Sequence, residues 1–209
     1  RREARDIETL RAHGVDLLFA PGVDEMYPAG FETTVNAPGI SQGLCGDHRP
    51  GHFAGVATIV TKLLLQALPD CAVFGEKDYQ QLQVIRRLTL DLDIPVQIIG
   101  LPTVRETDGL AVSSRNAYLG PADRAAAPKM HAILNDVAKR VRAGEAAATA
   151  VAAGHEALAA AGFSPIDYLE VRTAETLLPA DQAPAGAPLR VLAAAWLGET
   201  RLIDNIPVA

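Results

Sequence analysis

Cysteine is nearly absent from this chain: Cys45 and Cys71 are the only two in 209 residues. So sparse a pattern excludes a disulfide framework, and free, partly buried thiols in a reduced, cytoplasmic setting are the expectation. Basic excess is absent too. Nineteen Lys and Arg stand against 25 Asp and Glu, a formal net charge of -6 with a pI near 5.3. That balance argues against a nucleic-acid backbone or an anionic membrane as the main partner, while a local basic pocket for a small phosphate stays allowed. Long apolar runs are missing as well. "VLAAAWL" is far too short to span a bilayer, and no charged-then-apolar leader opens the chain. What is present is 49% hydrophobic residues, enough at this length to bury a core in one ordinary domain or two small ones.

The order of patterns predicts an α/β protein. "RREARDIETLRAHG" reads as an amphipathic helix with Ile7 and Leu10 inward and Gly14 as its C-cap, and "VDLLFA" after it suits a buried strand. With no initiator Met, the chain is expected to begin partway through an α/β unit. "HFAGVATIVTKLLLQALP" places Val56, Ile59, Val60, Leu63 and Leu64 on one helical stripe. "CAVFG" is a short buried strand, "KDYQQLQVIRRLTLDLD" a helix with Leu82, Ile85 and Leu88 inward, and "PVQIIGL" a further strand. Strands separated by helices imply parallel pairing with right-handed crossovers, a doubly wound sheet.

Beyond about residue 104 the pattern changes. The alanine-rich stretch from Pro121 to Gly162 predicts two helices broken near Ala143 and Gly144, with Pro121 at the first N-terminus and Gly162 as the last C-cap. "IDYLEVR", "LRVLAAAWLG" and "TRLIDNIPV" read as strands, the last two joined as a hairpin through "GE". "LPADQAPAGAP" is an exposed loop between strands. The expected division is residues 1–103, a parallel α/β domain, and residues 104–209, a smaller α+β domain with an antiparallel sheet.

Two segments carry candidate chemistry. In "FGEKDYQQL" a strand ends at Phe74 and Gly75 and a helix opens near Asp78, at the carboxyl edge of the parallel sheet where open α/β folds bind ligands. Gly75 lets a ligand approach the backbone, Lys77 supplies a point charge for phosphate, and helical spacing lets Lys77, Asp78 and Gln81 converge on one side of the first turn. Asp78 and Gln81 equally fit a D-x-x-Q capping box, with Lys77 simply solvated. In "DGLAVSSRN" an Asp-Gly turn precedes two hydroxyls, Arg115 and Asn116, a donor-rich loop able to hold polyphosphate or, alternatively, ordinary turn and capping chemistry. "MYPAGFETTV" is a Pro-Gly turn into a β-prone segment, with Tyr27 and Phe31 expected in the core.

Taken in order, "MYPAGFETTV", "RPGHFAGVATIVTKLL", "FGEKDYQQLQVIRRL", "GLAVSSRNAYL", "DYLEVR" and "TRLIDN" resemble the pantothenate synthetase family from end to end of the chain. The resemblance implies a Rossmann-like nucleotide-binding domain, incomplete at its N-terminus, a smaller closing domain, and a homodimer. It also implies ligation of pantoate to beta-alanine through a pantoyl adenylate, releasing AMP and pyrophosphate. The substrates are pantoate, beta-alanine and ATP, with Mg2+ held through the ATP phosphates and no protein metal ligand.

By the same resemblance Gly75, Lys77, Asp78, Val104, Ser113, Ser114 and Arg115 bind ATP. Lys77, Ser113 and Arg115 serve catalysis, and Gln81 binds pantoate. Val112 stands where the family pattern has methionine, near the adenine. The family's H-x-G-H signature follows its first strand. "HRPGH" at 48 to 52 has one residue too many for it and falls instead in the motif R-P-x-H-F, matched by Arg49, Pro50, His52 and Phe53. His48 is then a surface loop residue, and His52 opens a helix in a structural role or at the site rim. The expectation is a chain lacking the N-terminal segment with that signature and inactive by itself. The alternatives are a non-catalytic nucleotide-binding or dimerisation fragment, or a nucleotidyltransferase of the same superfamily.

Overall fold

The structure, a computed structural model, describes residues 3–208, which fall into two compact units divided between Thr33 and Thr34. In the first, α1 spans Glu3–Ala12. It ends as predicted: Gly14 takes a φ of 69°, a left-handed conformation that favours glycine, and its N–H donates to the Arg11 carbonyl at 3.0 Å. Ile7 and Leu10 are its half-buried positions. The strand expected at "VDLLFA" does not form. Residues 15–20 are irregular and Leu17 is 82% exposed, because an extended segment becomes a strand only when a neighbour takes up its backbone groups. No described strand runs beside it. After α2 (Val23–Met26) the predicted turn closes with the Phe31 N–H donating to the Pro28 carbonyl at 3.0 Å. Tyr27 meets Phe31 edge-on at 5.1 Å but is exposed rather than core.

In the second unit, the single turns α3 (Pro38–Ser41) and α4 (Cys45–His48) lead into α5 (His52–Ala67). His48 therefore ends a helical turn instead of sitting in a loop. The buried stripe of α5 is Phe53, Ala57, Thr58, Thr61 and Leu64, so of the five predicted inward residues only Leu64 is fully buried. Thr58 accounts for part of the rotation. Its hydroxyl donates to the Ala54 carbonyl at 2.7 Å and accepts the Val35 N–H at 3.0 Å, which satisfies it away from water and lets the threonine face pack inward.

β1 (Cys71–Gly75), the 3-10 turn Glu76–Asp78, α6 (Tyr79–Asp91) and β2 (Gln97–Leu101) form a β-α-β unit with β1 and β2 parallel, as the alternation predicts. α6 buries Leu82, Ile85 and Leu88. The strands are less buried than expected. Ala72 and Phe74 pack on the core while Val73, pointing the other way, is 54% exposed, since described residues cover one face of this pair and successive side chains alternate.

The alanine-rich stretch makes three helices, not two: α7 (Pro121–Ala126), α8 (Lys129–Arg142) and α9 (Ala147–Ala160). Pro128 separates the first two because it has no N–H to continue a helix. The breaks at Gly144 and Gly162, with φ of 92° and 97°, and Pro121 in the first turn of α7, are as predicted. β3 (Ile166–Thr173), β4 (Leu189–Leu197) and β5 (Thr200–Val208) form an antiparallel sheet in that order, with β4 and β5 joined as a hairpin. β4 is buried on both faces. Val191, Ala193 and Ala195 pack with Leu134, Val137 and Leu158 of α8 and α9, whereas Leu192 and Ala194 join the core of Phe53, Leu82 and Ile85. That double burial is why "LRVLAAAWL" reads as one continuous apolar run.

Candidate functional site

The turn Glu76–Asp78 leaves the carboxyl end of β1, and two adjoining cavities open beside it. A narrow cleft is lined by Arg49, His52, Lys77, Asp78, Gln81, Arg115, Tyr168 and Arg201, among others. A second, smaller cavity shares Lys77, Arg201, Ile203 and Asp204 with it and adds Ser113, Asn116 and His131. The structure thus brings Lys77, Asp78, Gln81 and Arg115 to one cleft and Ser113 to its neighbour. The capping-box alternative does not form, because Asp78 at the N-cap of α6 makes no side-chain capping bond.

Lys77 stands at the junction. Burial lowers its pKa from the ordinary 10.5, Asp78 and Asp204 raise it, and Arg115 lowers it further. Asp204 is itself gripped by Arg105, whose Nη1 and Nη2 donate to its two carboxylate oxygens at 2.6 and 2.9 Å. Gly75 ends β1 exposed, and a Cβ built there would meet nothing within 4 Å, which leaves its backbone open to a ligand.

The "DGLAVSSRN" loop is a tight reversal. The Asp108 carboxylate accepts the Leu110 N–H at 3.1 Å, Gly109 takes a φ of 92°, and the Val112 N–H donates to the Val104 carbonyl at 2.9 Å. Val104 and Val112 are brought together by that bond, both exposed, and neither is among the residues lining the two cavities. Ser113 does cap, accepting the Arg115 N–H at 3.2 Å at the start of the 3-10 turn Ser114–Tyr118. Asn116 is committed to Glu106 and the Ala111 carbonyl. Ser114 is exposed and outside both linings.

His52 opens α5 at the cleft rim. The Arg49 guanidinium, which has no acceptor, donates to its Nε2 at 3.0 Å. Burial and then Arg49 lower its pKa from 6.5, which favours the neutral ring that this bond requires.

Sequence reasoning missed much of the opposite wall. Arg201 Nε donates to Asp167 at 2.6 Å, the Trp196 indole donates to the same carboxylate at 3.0 Å, and the buried Tyr168 hydroxyl lies 3.1 Å from Cys45 Sγ. Burial first, then Cys45, pushes the Tyr168 hydroxyl well above its usual pKa. Asp167, Tyr168 and Arg201 sit in the strands "DYLEVR" and "TRLIDN", where alternation predicts which positions share a face but not which face meets a cleft. Gln80 was missed in the same way. Its amide donates to the carbonyls of Ile40, Gln42 and Gly43 and accepts the Cys45 N–H at 3.0 Å, fixing the loop that carries Arg49.

Four cationic side chains, Arg49, Lys77, Arg115 and Arg201, therefore line a cleft that also holds Asp78 and Gln81. Such a set suits a polyanion with a polar neighbour. Among the described residues no group of three or more His, Cys, Asp or Glu could hold a metal ion, and no helix is long and apolar enough to cross a membrane.

Comparison with known proteins gives a consistent result. The family Pantoate-beta-alanine ligase matches residues 1–207. A pantothenate synthetase of Paramagnetospirillum magneticum is 60% identical over 208 residues, covering 100% of this chain and 72% of the relative. One from Rhodospirillum rubrum is 55% identical, covering 100% and 73%. The crystal structure of pantothenate synthetase from Thermus thermophilus superposes with a TM-score of 0.91 at 50% identity, over 100% of this chain and 75% of that one. That of the pantoate-beta-alanine ligase from Francisella tularensis, complexed with beta-gamma ATP and beta-alanine, does so at 0.77 and 31% identity, over 100% and 70%. The parallel sheet with its helices and the small antiparallel sheet are the fold of these enzymes.

Proposed function

The chain belongs to the pantoate-beta-alanine ligase family, and from that premise we propose that its cleft serves ATP-dependent condensation of pantoate with beta-alanine through a pantoyl adenylate. The observation that carries this reading is the half-buried Lys77 in the cleft that Asp78, Gln81 and Arg115 also line, under the opposing electrostatic influence of Asp78 and Arg115. A pantoate carboxylate oxygen attacks the α-phosphorus of ATP, and the bond to pyrophosphate breaks. The amine of beta-alanine then attacks the acyl carbon, a C–N bond forms, AMP leaves, and the amine proton passes to solvent.

Lys77 offsets the charge that builds on the phosphates during the first step, and its partial burial strengthens that effect. Asp78 and the open Gly75 backbone hold the ribose, Gln81 binds the pantoate hydroxyl or carboxylate, and the exposed Val104 and Val112 pair offers apolar surface toward the adenine. Ser113, Ser114 and Arg115 clasp the β- and γ-phosphates when the smaller domain closes. Closure protects the mixed anhydride from water. Mg2+, which the family resemblance implies, would be held through the triphosphate and would supply neutralisation of its charge.

The family resemblance also supports a cytoplasmic homodimer. The H-x-G-H pattern does not occur in the 209 residues. We therefore assign turnover to the protein that contains it, and to these 209 residues alone ligand binding without turnover. The test is product analysis with ATP, pantoate and beta-alanine, using this chain with and without an N-terminal H-x-G-H segment. AMP and pyrophosphate, formed only with that segment and both acids, are expected. A nucleotidylated product would overturn the reading in favour of a nucleotidyltransferase.

A further inference from the structure

Asn205 lies on β5, at the end of "TRLIDN", and is 3% exposed. Its Nδ2 donates to two consecutive carbonyls, those of Glu76 and Lys77, each at 2.9 Å. Its Oδ1 is occupied in turn. Arg190 Nε donates to it at 2.7 Å, Arg190 Nη2 donates to the Glu76 carboxylate at 2.8 Å, and the same guanidinium lies 3.7 Å over the Tyr79 ring. Every polar atom of the Asn205 amide thus points at the turn that carries Lys77 or at a residue bound to that turn.

The arrangement has a mechanical meaning. A 3-10 turn between a strand and a helix leaves carbonyls without partners in its own backbone. Here one amide takes two of them, and because β5 belongs to the other sheet, the position of Lys77 is referred to the antiparallel sheet and not to β1 alone. Neighbouring Asp204 reinforces this, since it lines the cleft and is locked by Arg105. Stacking of Arg190 on Tyr79, the first residue of α6, fixes the far end of the turn.

We propose that Asn205, oriented by Arg190, is a positioning residue that sets the depth of the Lys77 ammonium in the cleft. This rests on the function proposed above for Lys77. Electrostatic stabilisation depends steeply on placement, and loss of a group that orients a charged side chain lowers rates by about 10- to 100-fold.

The experiment is a double-mutant cycle in the full-length protein, reading pantoate-dependent exchange of labelled pyrophosphate into ATP. Asn205→Ala is expected to slow exchange about 10- to 100-fold while the ATP KM changes by less than about threefold. In a Lys77→Ala background the same substitution is expected to change the rate by less than about twofold, because the group it positions is gone. An equal loss in both backgrounds would overturn the proposal, since a purely structural role acts irrespective of Lys77. So would an unchanged rate for Asn205→Ala beside a slowed Lys77→Ala. Absence of exchange in the wild-type protein would instead overturn the function on which the proposal rests. Arg190→Lys, which keeps the charge beside Glu76 but loses the Nε donor, gives a second arm should Asn205→Ala not fold. Its smaller slowing is expected to vanish in the same background, and persistence there would contradict the proposal.

Discussion

Burial of the Lys77 ammonium acts in opposite directions on catalysis and on stability. In the folded protein its pKa lies below the ordinary 10.5, so between the two values the unfolded chain binds the proton and the folded chain does not. Stability therefore rises with pH through that window, and below it the protein carries the cost of a charged, partly desolvated lysine. Lys77→Met is expected to raise Tm at pH 7 by a few degrees and to flatten this alkaline rise, while removing adenylation. Thermal unfolding from pH 7 to 11 measures it, and an unchanged or lower Tm at pH 7 would refute it. At Gln81 the expectation is kinetic: Gln81→Ala raises the pantoate KM more than the ATP KM, and the reverse order would move Gln81 out of the pantoate pocket. Lys77, Asp78 and Gln81 were legible in the sequence because all three come from one strand-turn-helix segment. Arg201 and Asn205 were not, because they meet Cys45 and Glu76 from 156 and 129 residues away along the chain.

The elements around the cleft are held by backbone capture as much as by packing. Gly46, in α4, is a tight point, since a Cβ there would overlap the Ser41 carbonyl oxygen. Gly46→Ala must push the loop apart, and the expected cost is about 1–3 kcal/mol, read as a lower urea midpoint. Gln80→Leu should cost a similar amount, about 1–3 kcal/mol, by leaving three carbonyls and the Cys45 N–H without their partner. Both are expected to weaken substrate binding through displacement of Arg49 and His52. Wild-type urea midpoints would show that the loop is not held in this way. Element types were readable where periodicity and punctuation agree, as in α6, the hairpin of β4 and β5, and the stops at Gly144 and Gly162. They failed where an element depends on a partner, as at "VDLLFA", or where polar residues enter the buried face, as with Thr58 and Thr61 on α5.

At the scale of the molecule, the antiparallel sheet is shared. One face of β4 supports α8 and α9, and the other supports the core beneath the cleft, so residues from both sequence halves define one site. The sequence division near residue 104 separates two patterns of periodicity, but the burial of Leu192 and Ala194 with Leu82 and Ile85 could not be read from either. That sharing links Lys77, on the turn after β1, to Arg115 and Arg201 across the cleft. On the function proposed above, this junction is where a carboxylate is adenylated. Its most direct test is pantoate-dependent exchange of pyrophosphate into ATP by the full-length protein and its Lys77→Ala variant. Exchange is expected in the wild type without beta-alanine, with a loss of at least about 100-fold in the variant while ATP still binds. Exchange within a few-fold of wild type after removal of Lys77 would contradict it.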